Sequence, residues 1–112
     1  MKPVMRSVVV VRPKAPYAKW ANLHSLDERE YSLAMYQSDC IAFLIPRCLY
    51  KNDAQKYIRV VWMNIFDYEL NRLDGNTTHW PADRTLKMFR QWFDVEFHAI
   101  LFDITEDPLL TI

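Results

Sequence analysis

The chain has 112 residues, 51% of them hydrophobic, which suffices for one domain (residues 1–112) around a real core and leaves no room for a second. Fourteen basic residues balance fourteen acidic ones, so no field of one sign covers the surface, and general attraction to nucleic acid or to an anionic membrane is not expected. Cys40 and Cys48 are too few for a zinc site and too widely spaced for a CxxC pair, so both are expected as reduced thiols.

The chain begins on a basic stretch, but its first apolar run, Val8 to Val11, is too short for a secretory leader and is interrupted by Arg12 and Pro13. No segment reaches the roughly 20 apolar residues of a membrane span. No contact with a membrane is expected, and a cytoplasmic setting follows by default.

Taken in order, the four consecutive valines between Ser7 and Arg12 predict a strand, because β-branched side chains are stiff in a way that suits sheets. An unbroken apolar run lacks the alternation of a one-sided strand, which places it centrally with both faces covered. Pro16, Tyr17, Trp20 and Ala21 suit a short helix, and Ser25 with Glu28 has the spacing of a capping box. A second short helix is expected over Glu30 to Gln37, followed by a strand at Ile41 to Ile45 that Pro46 ends.

The longest element lies between Asn52 or Asp53, as cap, and Gly75, as a left-handed terminator. Ala54, Ile58, Val61, Trp62, Ile65, Phe66, Leu70 and Leu73 keep helical spacing, and only Glu69 breaks the apolar stripe. About twenty residues rising about 1.5 Å each make a lid long enough to cross the sheet. Pro81 and Asp83 then carry helix-start chemistry, Leu86, Phe89 and Phe93 recur at helical spacing, and Val95 to Ile104 reads as a strand fed directly by that helix. The single glycine in the chain argues against a phosphate-cradling loop.

The expected architecture is therefore α/β, with α+β as the alternative: a three-stranded, parallel or mixed sheet in the order β-α-α-β-α-α-β. Helical connections of this length favour parallel crossovers. An antiparallel third strand stays open as an alternative. Such a sheet has two edges, and a symmetric dimer or another protein partner pairing with one of them is a natural expectation.

Three constellations carry chemistry. Asp94, Glu96 and His98 alternate along the last strand and share a face, with His79 and Asp103 as additions; histidine with carboxylates suits metal-assisted or acid-base catalysis. The plainer reading is a strand emerging from the core, and no metal or cofactor is expected. Arg84, Lys87 and Arg90, with Trp80 and Trp92 nearby, form a basic stripe able to stack bases or grip phosphate. An ordinary solvated helix face explains that stripe equally simply and, with zero net charge, better, so nucleic acid is not the expected partner. Finally, four tryptophans invite a pocket or contact surface, although Trp62 is most simply core.

The segments Val8 to Tyr17 and Phe43 to Pro46, and above all Trp80-Pro81, Arg84-Thr85-Leu86, Met88-Phe89 and Trp92-Phe93, resemble a family of small uncharacterised bacterial proteins. The likeness covers most of the chain and continues into Val95-Glu96-Phe97-His98. It implies a bacterial, intracellular setting and a shared fold; it implies no activity, cofactor or catalytic residue. Dense aromatics, a small body and no coherent catalytic motif favour a non-enzymatic binding or interaction module that self-associates through a sheet edge or an aromatic surface, with Trp80, Arg84, Arg90 and Trp92 as its binding surface. A small metal-assisted or acid-base enzyme built on Glu96 and His98 with His79 or Asp94 assisting, and a single-stranded nucleic-acid binder along Arg84, Lys87 and Arg90, are the alternatives.

Overall fold

The computed structural model describes residues 1–24, 27 and 29–112. Among them the chain forms β1 (Lys2–Pro3), β2 (Arg6–Pro13), α1 (Ala15–Leu23), α2 (Leu33–Gln37), β3 (Ile41–Pro46), α3 (Lys51–Asn71), a 3-10 turn at Thr77–His79, α4 (Leu86–Trp92), β4 (Phe93–His98) and β5 (Phe102–Asp103). The capping box expected of Ser25 and Glu28 lies outside the described residues.

The valine strand β2 is central, in a three-stranded sheet ordered β3-β2-β4. Both neighbours run antiparallel to it, and β1 pairs antiparallel with β5 in a separate two-stranded sheet. The fold is therefore α+β, which overturns the expected α/β class with its parallel or mixed sheet. The physical reason lies in the connections. After β2, α1 carries the chain away and α2 brings it back, and Gln37 donates to the Pro13 carbonyl at 2.8 Å, so β3 starts beside the point where β2 ended. A return to the same end of the sheet allows only antiparallel pairing. β3 and β4 do run in the same direction, with α3 and α4 between them in sequence, but β2 separates them and no parallel hydrogen bonding results.

Strand alternation sorts the side chains. Ser7, Val9, Val11 and Pro13 point into the core and are buried, as are Ile45 and Phe93 on the flanking strands. On the other face Val8 and Val10 are only half-buried and Leu44 is exposed, so the sheet is not covered on both sides as expected. The core fills the space between the inner face and α1, α3 and α4, with Val9, Val11, Ala21, Phe66, Leu70 and Phe89 fully enclosed. The α3 stripe of Ala54, Ile58, Ile65, Phe66, Glu69 and Leu70 makes this long helix the main lid.

The ends of the helices differ from the sequence reading. Tyr50, not Asn52 or Asp53, occupies the N-cap of α3 and offers no side-chain cap. The helix ends at Asn71 with Arg72 still right-handed, and Gly75 does not adopt positive φ. The Asp74 carboxylate instead accepts the Asn76 N–H at 2.9 Å, an Asx turn that makes a left-handed glycine unnecessary. Asp83 is the residue with positive φ, 53°, a conformation its short polar side chain tolerates. Thr85 then caps α4 by accepting the Met88 N–H at 3.1 Å.

α4 passes directly into β4 at Phe93, as the change of periodicity predicts. The strand does not continue to Ile104. β4 ends at His98, and the chain bends before Phe102–Asp103 pairs with Lys2–Pro3, leaving Ile100, Phe102 and Ile104 exposed. Among the described residues no helix is long and apolar enough to cross a membrane.

Candidate functional site

Where the first half of α3 diverges from α4 and the inner face of β4, a cleft of about 440 Å³ opens. Its apolar floor is the core itself, with Val9, Ala54, Ile58, Phe89, Phe93 and Val95 reached from the mouth. Helical geometry explains the rim: Lys51, Gln55 and Arg59 recur every four residues on α3, one step round from Ala54 and Ile58. From the other side Arg90, in the last turn of α4, and Asp94, on β4, complete the lining.

Among the described residues the rim carries three cations and one carboxylate. Asp94 is engaged by Lys14, whose Nζ lies 3.5 Å from its Oδ1. Lys51, Arg59 and Arg90 form no ion pair or side-chain hydrogen bond among the described residues. In a chain of zero net charge this is a local positive excess beside an apolar surface. The volume falls within the roughly 300–1,000 Å³ usual for small-molecule sites, and apolar walls with a few placed polar groups are the usual composition.

The residues singled out from sequence divide among separate places. Glu96 and His98 do meet: His98 Nε2 lies 2.8 Å from Glu96 Oε2, and Arg12 Nη1 lies 3.9 Å from Oε1. This pair stands exposed on the outer face of the sheet. The His98 hydrogen bond, aided by Arg12, holds the Glu96 carboxyl below its ordinary value. By strand register Asp94 shares the outer face of β4 with Glu96 and His98, as the alternation predicts, but it pairs with Lys14 at the border of the cleft, and Asp103 is tied to Thr105, whose side chain and backbone hydrogen bonds lower its pKa. His79 is distant from all of these in its contacts and pairs with Asp74 at 2.6 Å.

The basic stripe is likewise broken. Arg84 precedes α4 and turns inward, its guanidinium 5.2 Å from the centre of the Phe66 ring and 5.4 Å from that of Trp80. Its Nη2 meets Asp67 as an ion pair, while Nη1 is buried with no acceptor among the described residues. Trp80 donates its indole N–H to the Asp74 carbonyl at 2.7 Å, and Trp92 packs in an aromatic cluster, its ring centre 5.4 Å from that of Phe66. Of the four expected binding residues only Arg90 lines the cleft, and Lys87 stays on the exposed helix face.

Lys51 and Arg59 escape a sequence reading that looks for charge near aromatics in one segment. Their signal is a polar ridge running beside the apolar stripe of α3, but its significance depends on α4 packing near it, a tertiary fact. The chain matches no protein-family model, no curated protein and no solved structure.

Proposed function

We propose that this protein is a small binding module whose cleft takes an anionic molecule with an apolar body, its carboxylate or phosphate head held by Arg90, Arg59 and Lys51. The observation that carries this reading is the set of three unpaired cations around a floor of buried side chains. Desolvating the apolar part contributes about 25 cal/mol per Å² buried, and the rim cations add charge-assisted hydrogen bonds to the head group. Arginine supports a forked, planar grip on such heads, and lysine adds a mobile point charge. Specificity for the anion arises because Asp94, the one carboxylate bordering the cleft among the described residues, is paired with Lys14, which leaves the three rim cations in excess.

The catalytic alternative finds less support. Glu96 and His98 form an exposed pair on the opposite face of the sheet, and neither lines the cleft. The nucleic-acid alternative loses its stripe, because Arg84 is spent on Asp67 and on the rings of Phe66 and Trp80.

Titration with anilinonaphthalene sulfonate, a fluorescent anion with an apolar body, tests the proposal. Saturable binding at a single site is expected, weakening with added salt and falling at least about tenfold in Arg90→Glu and Arg59→Glu, a loss of about 1.4 kcal/mol. Near-UV circular dichroism of each variant separates this from dye uptake by a loosened core. Undiminished binding by natively folded charge-reversal variants counts against the cleft, as does an absence of binding by the parent protein.

A further inference from the structure

A second cluster lies away from the cleft, at the junction of three chain segments. His24 occupies the C-cap of α1, Asp74 follows the end of α3, and His79 closes the 3-10 turn. One donor atom from each side chain, two imidazole nitrogens and a carboxylate oxygen, lies within 4.8 Å of the others. Among the described residues no other group of three histidine, cysteine or acidic side chains converges in this way.

The backbone beneath Asp74 and His79 is fixed by two tryptophans, and the His24 N–H is held by the Ala21 carbonyl at 3.2 Å. Trp20 donates its indole N–H to the His79 carbonyl at 2.9 Å, and Trp80 donates to the Asp74 carbonyl at 2.7 Å. Asp74 uses Oδ1 to accept the Asn76 N–H at 2.9 Å and turns Oδ2 to His79 Nδ1 at 2.6 Å. The rings of His24 and His79 lie nearly parallel, 21° apart with centroids separated by 5.0 Å. A carboxylate oriented by a backbone N–H is the kind of outer-shell support that positions metal ligands.

We propose that His24, Asp74 and His79 bind one divalent first-row transition ion, with zinc as its simplest occupant. Two imidazoles and one carboxylate match the donor preference of zinc, cobalt or iron better than that of calcium or magnesium, which favour oxygen ligands throughout. Zinc–nitrogen bonds of about 2.0–2.1 Å place tetrahedral donors about 3.3 Å apart, so rotation of the partly exposed rings has to draw in atoms now spread over no more than 4.8 Å. Three protein ligands leave a fourth position for water or for a ligand atom. The competing explanation is a plain His79–Asp74 ion pair with His24 stacked beside it, and that arrangement binds no metal.

The test uses the whole chain, stripped of metal by a chelator that is then removed, and zinc alone as probe. Equilibrium dialysis is expected to give one zinc per chain. His24→Ala, His79→Ala and Asp74→Asn should each weaken binding by more than the about 10–100-fold that loss of an outer-shell partner costs, while His98→Ala leaves it unchanged. Ring-nitrogen spectra of the unaltered protein provide a readout that needs no variant. Zinc should shift the His24 and His79 nitrogens together, reaching an end point at one equivalent, and leave His98 in place. Failure to retain zinc, zinc binding unaffected by loss of His24 or His79, or shifts confined to His98 overturns the proposal.

Discussion

Tyr17 donates its phenolic hydrogen to the backbone carbonyl of Glu69 at 2.7 Å, joining the first helix to the end of the longest one. The bond forms at the one position where the apolar stripe of α3 is interrupted by a charge. The Glu69 side chain is fully buried, with Oε2 3.4 Å from Arg72 Nη1 and Oε1 without a partner among the described residues. Burial, only partly offset by Arg72, pushes the Glu69 carboxyl above its ordinary value, and burial together with Glu69 likewise pushes up the Tyr17 hydroxyl.

A pH dependence follows from Glu69. Its folded-state pKa stands above the unfolded value of about 4.3, so the folded state holds its proton more tightly, and the resulting stability is fully present below the unfolded pKa. That contribution is lost as pH rises through the folded value, at about 1.4 kcal/mol for each unit between the two. Glu69→Gln should flatten this part of the stability profile and be more stable than the parent near neutral pH, measured by urea denaturation across the acid range. Parallel profiles for the two proteins would show that the buried carboxyl carries no such penalty.

Ser7 supplies a second prediction. Its hydroxyl, buried at the start of β2, accepts the Cys48 N–H at 2.8 Å and has the Ala99 and Cys48 carbonyls at 3.0 and 3.1 Å as acceptors. It thereby ties the exits of β3 and β4 to the central strand. Ser7→Ala leaves a buried N–H unpaired and should cost about 1–3 kcal/mol in chemical denaturation. A change near zero would mean that another group satisfies Cys48.

The sequence exposes some of these relationships and conceals others. Phe89 and Phe93 read as core from spacing alone, and they are 0% and 2% exposed. The valine run reads as a central strand, and the passage from α4 into β4 is visible in the change of period at Phe93. Strand adjacency is not legible, because nothing local in Ile41–Pro46 or Phe93–His98 records that β2 lies between them. Asp83 and Thr85 both have cap chemistry, and only the structure, in which Thr85 accepts the Met88 N–H while Asp83 takes a positive φ, assigns the cap to Thr85. The convergence of His24 with Asp74 and His79 depends on how α1 packs near the end of α3, so the histidine of the opening segment carries no signal by itself.

Arg84 illustrates the same gap and can be tested directly. Its guanidinium faces the rings of Phe66 and Trp80 and pairs with Asp67, a planar role that an ammonium group fills poorly. Arg84→Lys should lower stability by about 0.5–2 kcal/mol, read as a shift in the urea midpoint with unchanged slope. A midpoint equal to that of the parent would restore Arg84 to the solvated face expected from its neighbours Lys87 and Arg90.

The cleft is tested most directly by correlation spectra of isotopically labelled protein titrated with octanoate, which reports the location of an apolar-bodied anion residue by residue. Saturating shifts centred on Ala54, Ile58, Phe93 and Val95, with Arg59 and Arg90 moving along the same curve, are the predicted result. Saturating shifts confined to Val8, Val10 and Leu44 on the outer face of the sheet, or no saturating shifts at all, would contradict the account.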